Sequence, residues 1–317
     1  MGHNRVVGNR SRAPLALLPV PVRQAISLLA LALNTAACGT VLLLFAVVKL
    51  VVPVNAVRRR IDPLLNGLAR WWIANNGTWI ALVQDVDWRV TGADGLRRDD
   101  WYLVESNHQS WVDIFVLQKV LSPRIPMLKF FLKHQLIWVP FAGLAWWALD
   151  FPFMRRYSRE YLAAHPEKRR ADLERIRKSC RKFSLVPTAV MNFLEGTRFT
   201  VPKHAGEPSP FRHLLPPKAG GIALALDAMG ERFHSLLDVT LFYPGRVPSF
   251  ADLLGGRVQQ VVVVIRERPI PADLLGCDYA SDPEFRLRVQ SWVQELWSEK
   301  DRLLEELASE TAPPPVA

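Results

Sequence analysis

Cysteine is scarce in this chain of 317 residues, which contains only 3, at Cys38, Cys180 and Cys277. They lie far apart and form no CxxC pair. A disulfide framework and a zinc site are therefore not expected, and the composition fits a reducing compartment. The strings HExxH, GxSxG and GxGxxG and the P-loop are also missing, which argues against several common enzyme classes that depend on them.

Acidic residues are outnumbered by basic ones, with 30 Asp and Glu against 40 Lys and Arg, so the net charge is +10. A balance this basic favours anionic partners, such as phospholipid headgroups, nucleic acid or a phosphorylated substrate. No basic stripe with interleaved aromatic residues is present, and nucleic acid is therefore not expected as a partner. Half of the residues are apolar, enough for one large domain or two small ones with a sizeable core.

A long apolar run covers residues 25–54 and is interrupted only by Asn34, Thr35, Thr40 and Lys49. Thirty helical residues extend roughly 45 Å, against a hydrocarbon core of roughly 30 Å. The run is too long for a cleaved signal peptide. We expect one tilted membrane span. The alternatives are a hairpin within one leaflet, broken at Asn34 and Thr35, and a buried helix of a soluble protein.

Basic residues flank this run on both sides, so the positive-inside rule gives no orientation. They are Arg5, Arg10, Arg12 and Arg23 before it, and Lys49, Arg58, Arg59, Arg60 and Arg70 in its last part and beyond. A second apolar segment, residues 136–154, contains two prolines and an aspartate. We expect it to be core and membrane-facing structure rather than a second span.

Strands and helices alternate through the rest of the chain, which predicts an α/β layer fold. The predicted strands cover residues 88–90, 101–105, 186–194, 238–243 and 261–268. The predicted helices cover residues 61–74, 111–120, 155–183 (interrupted near Pro166), 222–229 and 283–308. The last helix is amphipathic, with Phe285, Val289, Trp292, Leu296, Leu303 and Leu307 on one side.

The string NHQSWVD at residues 107–113 places His108 and Asp113 five positions apart, directly after a predicted strand. If His108 lies in the loop and Asp113 in the first turn of the next helix, the two side chains can meet. A neutral imidazole oriented by a carboxylate can take a proton from an alcohol. The alternative is a capping box, in which Ser110 caps the helix and Asp113 is its third residue.

The string EGTR at residues 195–198 follows the predicted strand 186–194. Gly196 permits a tight turn, and Thr197 and the turn amides can donate hydrogen bonds. Arg198 can hold a phosphate with two hydrogen bonds. Glu195 can contact an acceptor hydroxyl or brace Arg198. The alternative is an ordinary turn with a surface ion pair.

These strings together resemble a known family. NHQSWVD, FPFMRR at 151–156 and FLEGTRF at 193–199 resemble the motifs of the glycerolipid acyltransferases, which include bacterial 1-acyl-glycerol-3-phosphate acyltransferases. The resemblance covers nearly the whole chain. The runs FLKHQLIWVPFAGLAWWALDFPFMRRYSREYL, LLPPKAGGIALAL and DVTLFYPG look most similar to the YihG-type inner-membrane acyltransferases.

The resemblance implies roles for individual residues. His108 would be the general base and Asp113 its orienting acid. Arg198 would bind the acceptor phosphate, helped by Lys133 and Arg156. Glu195, Gly196 and Thr197 would form the acceptor turn motif. The second motif departs from the family pattern by a Pro and a Met, and the fourth by the displaced Pro244.

The resemblance also implies the architecture and the partners. We expect a mixed β-sheet flanked by helices, as in glycerol-phosphate acyltransferases, with an N-terminal membrane helix or hairpin. Residues 1–60 would be a basic tail and membrane segment, 61–310 the acyltransferase domain and 311–317 a loose tail. The active site would face the cytoplasmic side of a bacterial inner membrane.

The expected reaction moves an acyl group from acyl-CoA or acyl carrier protein to a lysophospholipid hydroxyl, most simply that of lysophosphatidic acid. No cofactor or metal is expected, and the bilayer is a partner. Three alternatives remain open at this point. They are a remodelling enzyme for another lysophospholipid, a thioesterase or lipase, and a non-catalytic basic protein that binds membrane or nucleic acid.

Overall fold

The computed structural model describes residues 13–52, 54–139, 141–154, 186–206, 208–275 and 282–311. Its strands are β1 (Asp87–Thr91), β2 (Tyr102–Ser106), β3 (Leu128–Phe130), β4 (Leu132–Lys133), β5 (Phe153–Met154), β6 (Ala189–Phe193), β7 (Ser235–Phe242) and β8 (Gln260–Arg268). Its helices are α1 (Val20–Val51), α2 (Asn55–Val83), α3 (Val112–Leu121), α4 (Ala142–Ala148), α5 (Val201–Gly206), α6 (Gly220–Met229), α7 (Phe250–Leu254) and α8 (Pro283–Thr311). Short 3₁₀ turns cover His134–Trp138, Gly230–Arg232 and Ala272–Leu274.

Six strands form one mixed sheet in the order β1-β8-β7-β2-β6-β3, and β4 pairs with β5 separately. Only the β7–β8 pairing is antiparallel within the six-stranded sheet. The central strands β2 and β7 are buried along almost their whole length, as is typical of strands covered on both faces. The expected mixed α/β sheet flanked by helices is confirmed.

Alternate residues of the strands face two separate apolar cores, because side chains of a strand point to opposite faces in turn. On one face Val104 and Val239 pack with α3 and the end of α2. On the other, Leu103 and Leu236 pack with α6 and α8. The two helix layers thus hold the sheet from both sides, and the carboxyl ends of β2, β6 and β7 lie side by side at one edge.

Buried charged side chains lie on the face of the sheet that α8 covers. Lys300 of α8 lies 2.5 Å from Asp238 of β7 and 3.2 Å from Glu105 of β2, and all three side chains are at most 1% exposed. Burial raises the pKa of Glu105 well above its ordinary value and favours its neutral form. Burial also raises the pKa of Asp238, but Lys300 and Arg268 outweigh it and bring the pKa to about 2. The cluster thus pairs a buried cation with a carboxylate.

Helices α1 and α2 form an antiparallel pair. Asn34 donates to the Trp72 carbonyl at 3.0 Å and to Asn76 at 2.9 Å, and the Trp72 indole donates to Thr35 at 3.2 Å. Helix α1 continues through Asn34 and Thr35, so the alternative named above, a hairpin broken at these two residues, does not match the structure. The two polar side chains are instead satisfied by α2, and the chain reverses between α1 and α2.

Both halves of α1 contact the same α/β domain. Ser27 donates to the Leu254 carbonyl at 2.8 Å, and Lys49 lies 2.8 Å from Asp62 and 2.9 Å from Asp150. These positions are separated by roughly 33 Å along a helix. Helix α1 therefore lies along this domain over that length. Lys49, counted above as a flanking charge, is a buried ion-pair partner.

The outer side of α1 remains apolar and exposed, which argues against the core helix of a soluble protein. Its exposed side chains include Leu28, Leu29, Leu33, Val41, Leu44, Val47, Val48, Leu50 and Val51. Among the described residues, α1 is the one helix long and apolar enough to cross a membrane. The second apolar segment folds into a 3₁₀ turn, α4 and β5, and its Trp138 and Phe141 are strongly exposed. The helix predicted at residues 155–183 lies outside the described residues.

Candidate active site

Three neighbouring strands deliver polar side chains to one edge of the sheet. His108 follows β2, Glu195 follows β6 and Tyr243 follows β7. Because β2 is parallel to both neighbours, the three loops emerge on the same side. Asn107 fixes the spacing of two of them, since its amide exchanges two 2.8 Å hydrogen bonds with the backbone of Leu241. This edge is the usual place for ligands in sheets with parallel strands.

The imidazole of His108 meets the carboxylate of Asp113, with Nδ1 and Oδ2 2.8 Å apart. The same oxygen accepts from the backbone amides of Gln109 at 2.6 Å and Ser110 at 2.8 Å. Asp113 is fully buried and lies in the first turn of α3. The carboxylate of Asp113 therefore accepts from the Ser110 backbone amide, as the third residue of a capping box does. The same carboxylate also contacts the imidazole of His108. The Ser110 hydroxyl accepts from the Val112 amide, whereas the Asp113 amide donates to the Ser110 backbone carbonyl at 3.3 Å.

The carboxylate of Asp113 orients the His108 imidazole so that one ring nitrogen is available to accept a proton from a substrate. Because Asp113 Oδ2 is a hydrogen-bond acceptor, the neutral imidazole carries its proton on Nδ1. Nε2 is then unprotonated and can accept a proton from a substrate. The ring of Phe193 stacks on the imidazole with centroids 4.0 Å apart, and the His108 side chain remains 13% exposed. The imidazole of His108 is therefore held by Asp113 and Phe193 and is still partly open to solvent.

Glu195 braces the loop that carries His108. One carboxylate oxygen accepts from the His108 amide at 2.8 Å, and the other accepts from the Leu215 amide at 3.1 Å. The residue is almost completely buried. Both oxygens are thus engaged within the protein, and the two roles expected above, contact with an acceptor hydroxyl and bracing of Arg198, do not match its position.

Burial raises the pKa of Glu195 to about 7, although the two amides and Lys300 oppose the rise. The folded state therefore binds this proton more tightly than the unfolded chain, whose glutamate has a pKa near 4.5. The free energy of unfolding should fall by up to about 3 kcal/mol as the pH rises from about 4.5 to about 7.

The Glu195→Gln variant should lose that part of the pH dependence. Urea unfolding at several pH values between 4.5 and 7 would measure the slope in both proteins. The absolute stability of the variant is not the readout, because glutamine also loses one acceptor for the two amides. Equal slopes in the two proteins would contradict the assignment.

The EGTR segment forms a turn beside His108. Gly196 adopts φ +67°, which glycine alone takes without strain. The Phe199 amide donates to the His108 carbonyl at 2.7 Å and joins the two loops. The guanidinium of Arg198 lies over the ring of Trp111, 4.6 Å from its centroid. Arg198 is thereby held next to the His108 loop.

Lys203 of α5 adds a second positive charge to this turn. Its ammonium group donates to the Thr197 hydroxyl at 2.7 Å and to the Arg198 carbonyl at 3.1 Å. Because the Thr197 oxygen accepts from Lys203, its own proton remains available for donation. Sequence reasoning gave Lys203 no role, since an exposed lysine after a turn carries no pattern of its own.

The other two predicted phosphate-binding residues are not joined to this turn by a described contact. Lys133 is exposed on β4, and Arg156 lies outside the described residues. Among the described residues no group of three or more His, Cys, Asp or Glu side chains is arranged to hold a metal ion. The geometry that remains is a His–Asp pair beside two cations and a hydroxyl.

The chain is similar to known proteins. Residues 87–244 match the family model described as Acyltransferase. The chain is 26% identical over 217 residues to mouse 1-acyl-sn-glycerol-3-phosphate acyltransferase gamma, and 27% identical over 214 residues to the human protein of that name. Each alignment covers 63% of this chain and 51% of the relative. The chain thus spans about half the length of the curated relatives it matches.

A solved structure is also similar: the 1-acyl-sn-glycerophosphate (LPA) acyltransferase PlsC from Thermotoga maritima, at 18% identity and a TM-score of 0.48. That similarity covers 91% of this chain and 97% of the other. The matched family region begins at β1 and ends just after β7, and it contains His108, Asp113 and the EGTR turn. The chain therefore contains a domain of the acyltransferase family, and the curated relatives it matches are glycerolipid acyltransferases.

Proposed function

We propose that this protein transfers a fatty acyl group from a thioester donor to the free hydroxyl of a lysophospholipid, most simply lysophosphatidic acid. The observation that carries the proposal is the 2.8 Å contact between His108 and Asp113 next to the Arg198 turn. The relatives named for acylation of 1-acyl-sn-glycerol-3-phosphate support the choice of acceptor. The donor is acyl-CoA or acyl carrier protein.

The proposed reaction needs no covalent intermediate on the enzyme. Nε2 of His108 takes the proton of the acceptor hydroxyl, and the oxygen attacks the thioester carbonyl carbon. The carbon–sulfur bond then breaks, and the thiolate takes the proton from the imidazolium. Asp113 stabilises that cation. A thioester is already activated, so proton transfer and positioning supply most of what remains.

The cations beside the site suit the acceptor headgroup. A phosphate between Arg198 and Lys203 would meet two positive charges, and the Trp111 ring already orients the Arg198 guanidinium. Placement on a fixed guanidinium would bring the neighbouring glycerol hydroxyl to His108 with little loss of freedom on binding. Thr197 can donate to the headgroup or to the oxygen that becomes negative.

The bilayer is the proposed source of the acceptor. The exposed apolar side of α1 and the exposed Trp138 and Phe141 support insertion into the lipid surface. The contacts along α1 favour insertion into one leaflet of a bacterial inner membrane, on its cytoplasmic side. A site at that surface can take a lysolipid without moving it through water.

Purified protein in mixed micelles would test the activity. It would be offered lysophosphatidic acid and other lysolipids, with acyl-CoA or acyl carrier protein as donor, and the products would be identified by mass spectrometry. Phosphatidic acid is the expected product, and it should form only when lysophosphatidic acid is supplied. Free fatty acid without acylated lipid would instead establish a thioesterase, and a preference for another headgroup would establish a remodelling enzyme.

Replacement of Arg198 by glutamine should raise the KM for lysophosphatidic acid by about 10- to 100-fold, because a charge-assisted pair of hydrogen bonds is lost. The kcat should change far less. The matched control is Arg212→Gln, whose guanidinium is exposed and pairs with Glu305 on the surface. A KM equal in the two variants would remove Arg198 from the headgroup site.

A further inference from the structure

Tyr243 contacts the acid of the His–Asp pair from a different strand. Its hydroxyl donates to Asp113 Oδ1 at 2.7 Å, whereas the His108 imidazole and two backbone amides use Oδ2. The donors on the two oxygens therefore come from opposite sides of the carboxylate. Rotation of the carboxylate about its Cβ–Cγ bond would break contacts on both oxygens at once.

The strand that leads into Tyr243 is fixed relative to His108. β7 pairs in parallel with β2 through Ser106 and Val239. Beyond that pair, Asn107 holds the Leu241 backbone with two hydrogen bonds. Tyr243 lies only two positions after Leu241, so the phenol has little freedom to move away from Asp113. The residue is buried, and burial together with Asp113 raises its pKa well above the ordinary value, which keeps the hydroxyl a donor.

We propose that Tyr243 is a positioning residue: its hydrogen bond fixes Asp113 so that Oδ2 stays on Nδ1 of His108 and Nε2 points to the acceptor hydroxyl. The role rests on the function proposed above and extends it to a third side chain. Tyr243 itself touches no reacting atom. It acts through Asp113, from a strand 130 residues further along the chain.

The charge on the imidazole provides a readout that simple packing would not change. Among the described residues, the charged or titratable groups around His108 are Asp113, Glu195 and Tyr243, with Arg198 and Lys203 on the neighbouring turn. Loss of the Tyr243 hydroxyl leaves the negative charge of Asp113 less stabilised, so the pair holds the imidazolium proton more tightly. The acid limb of the pH–rate profile should therefore move to higher pH.

The test compares Tyr243→Phe with Tyr102→Phe. Both rings are buried, but the Tyr102 hydroxyl accepts from the Arg97 amide at 2.9 Å, at the other end of β2. Tyr243→Phe should lower kcat by about 10- to 100-fold, with both KM values within about twofold of wild type. Tyr102→Phe should leave kcat unchanged. The midpoint of the acid limb should move to higher pH only in Tyr243→Phe.

NMR titration of labelled histidine tests the positioning role of Tyr243 without relying on acyl transfer. It follows the His108 imidazole in the full-length protein in micelles, with Glu195→Gln present in both backgrounds to remove the neighbouring carboxyl. An upward shift of the His108 midpoint in the Tyr243→Phe background supports the positioning role, even if wild type acylates no lysolipid and the proposed function fails. An unchanged midpoint, or a kcat loss matched by Tyr102→Phe, would overturn it.

Discussion

Exchange of His108 for glutamine is expected to lower kcat by about 10²- to 10⁴-fold, the usual contribution of a positioned general base. Glutamine keeps a polar side chain of comparable reach but cannot accept the acceptor's proton and return it to the thiolate. Because Asp113 is already satisfied by Tyr243 and two backbone amides, the fold should survive the change. The measurement is turnover of labelled acyl-CoA, together with binding to vesicles.

The matched control is His234→Gln. That imidazole is 55% exposed and lies between Asp100 and Glu267 at the start of β7, at the opposite end of the strand from Tyr243. It should retain wild-type turnover. Vesicle binding should be equal in all three proteins, since neither histidine lies on α1. Normal turnover by the His108 variant would refute the proposed mechanism.

Replacement of Lys300 by methionine is expected to destabilise the protein by about 3–5 kcal/mol. The ammonium group is completely buried between Asp238 and Glu105 and also donates to the Val239 carbonyl at 2.7 Å. Methionine fills a similar volume, so the cost is electrostatic. Among the described residues, the change leaves Arg268, at 3.1 Å, as the ion-pair partner of the Asp238 carboxylate. Urea unfolding in detergent measures the change.

Arg302→Met is the control for the Lys300 variant, because Arg302 lies exposed on the same helix. It should change the free energy of unfolding by no more than about 0.5 kcal/mol. A second variant, Lys300→Met with Asp238→Asn, removes the carboxylate as well and should recover part of the loss. If Lys300→Met lowered the free energy of unfolding no more than Arg302→Met, the buried cluster would not contribute to stability.

Continuous apolar runs made the central strands predictable. The prediction of residues 101–105 differs from β2 by one position at each end, and that of 261–268 differs from β8 only at its first residue. Helix α2 was predicted only over residues 61–74, yet it runs from Asn55 to Val83. Asn75, Asn76 and Gly77 are typical of a helix end. Here the asparagines bond to Asn34 of α1, a contact that no local pattern contains.

The same distinction applies to the site. The meeting of His108 with Asp113 could be predicted because both lie in one short string at a strand end. The partners of Glu195 could not, since they are backbone amides 87 and 20 positions away. The contact of Tyr243 with Asp113 depends on the register between β2 and β7. Contacts set by strand pairing become visible only when the sheet is assembled.

The contacts of α1 bear on how this protein can be produced. Leu42 and Ala46 pack on Leu65 and Ala69 of α2, and Lys49 separates the acidic side chains of Asp62 and Asp150. A shortened form that starts at α2 would therefore expose an apolar face and bring two carboxylates together without their cation. Such a form is expected to be less soluble than the full chain, because a packed apolar face would become exposed.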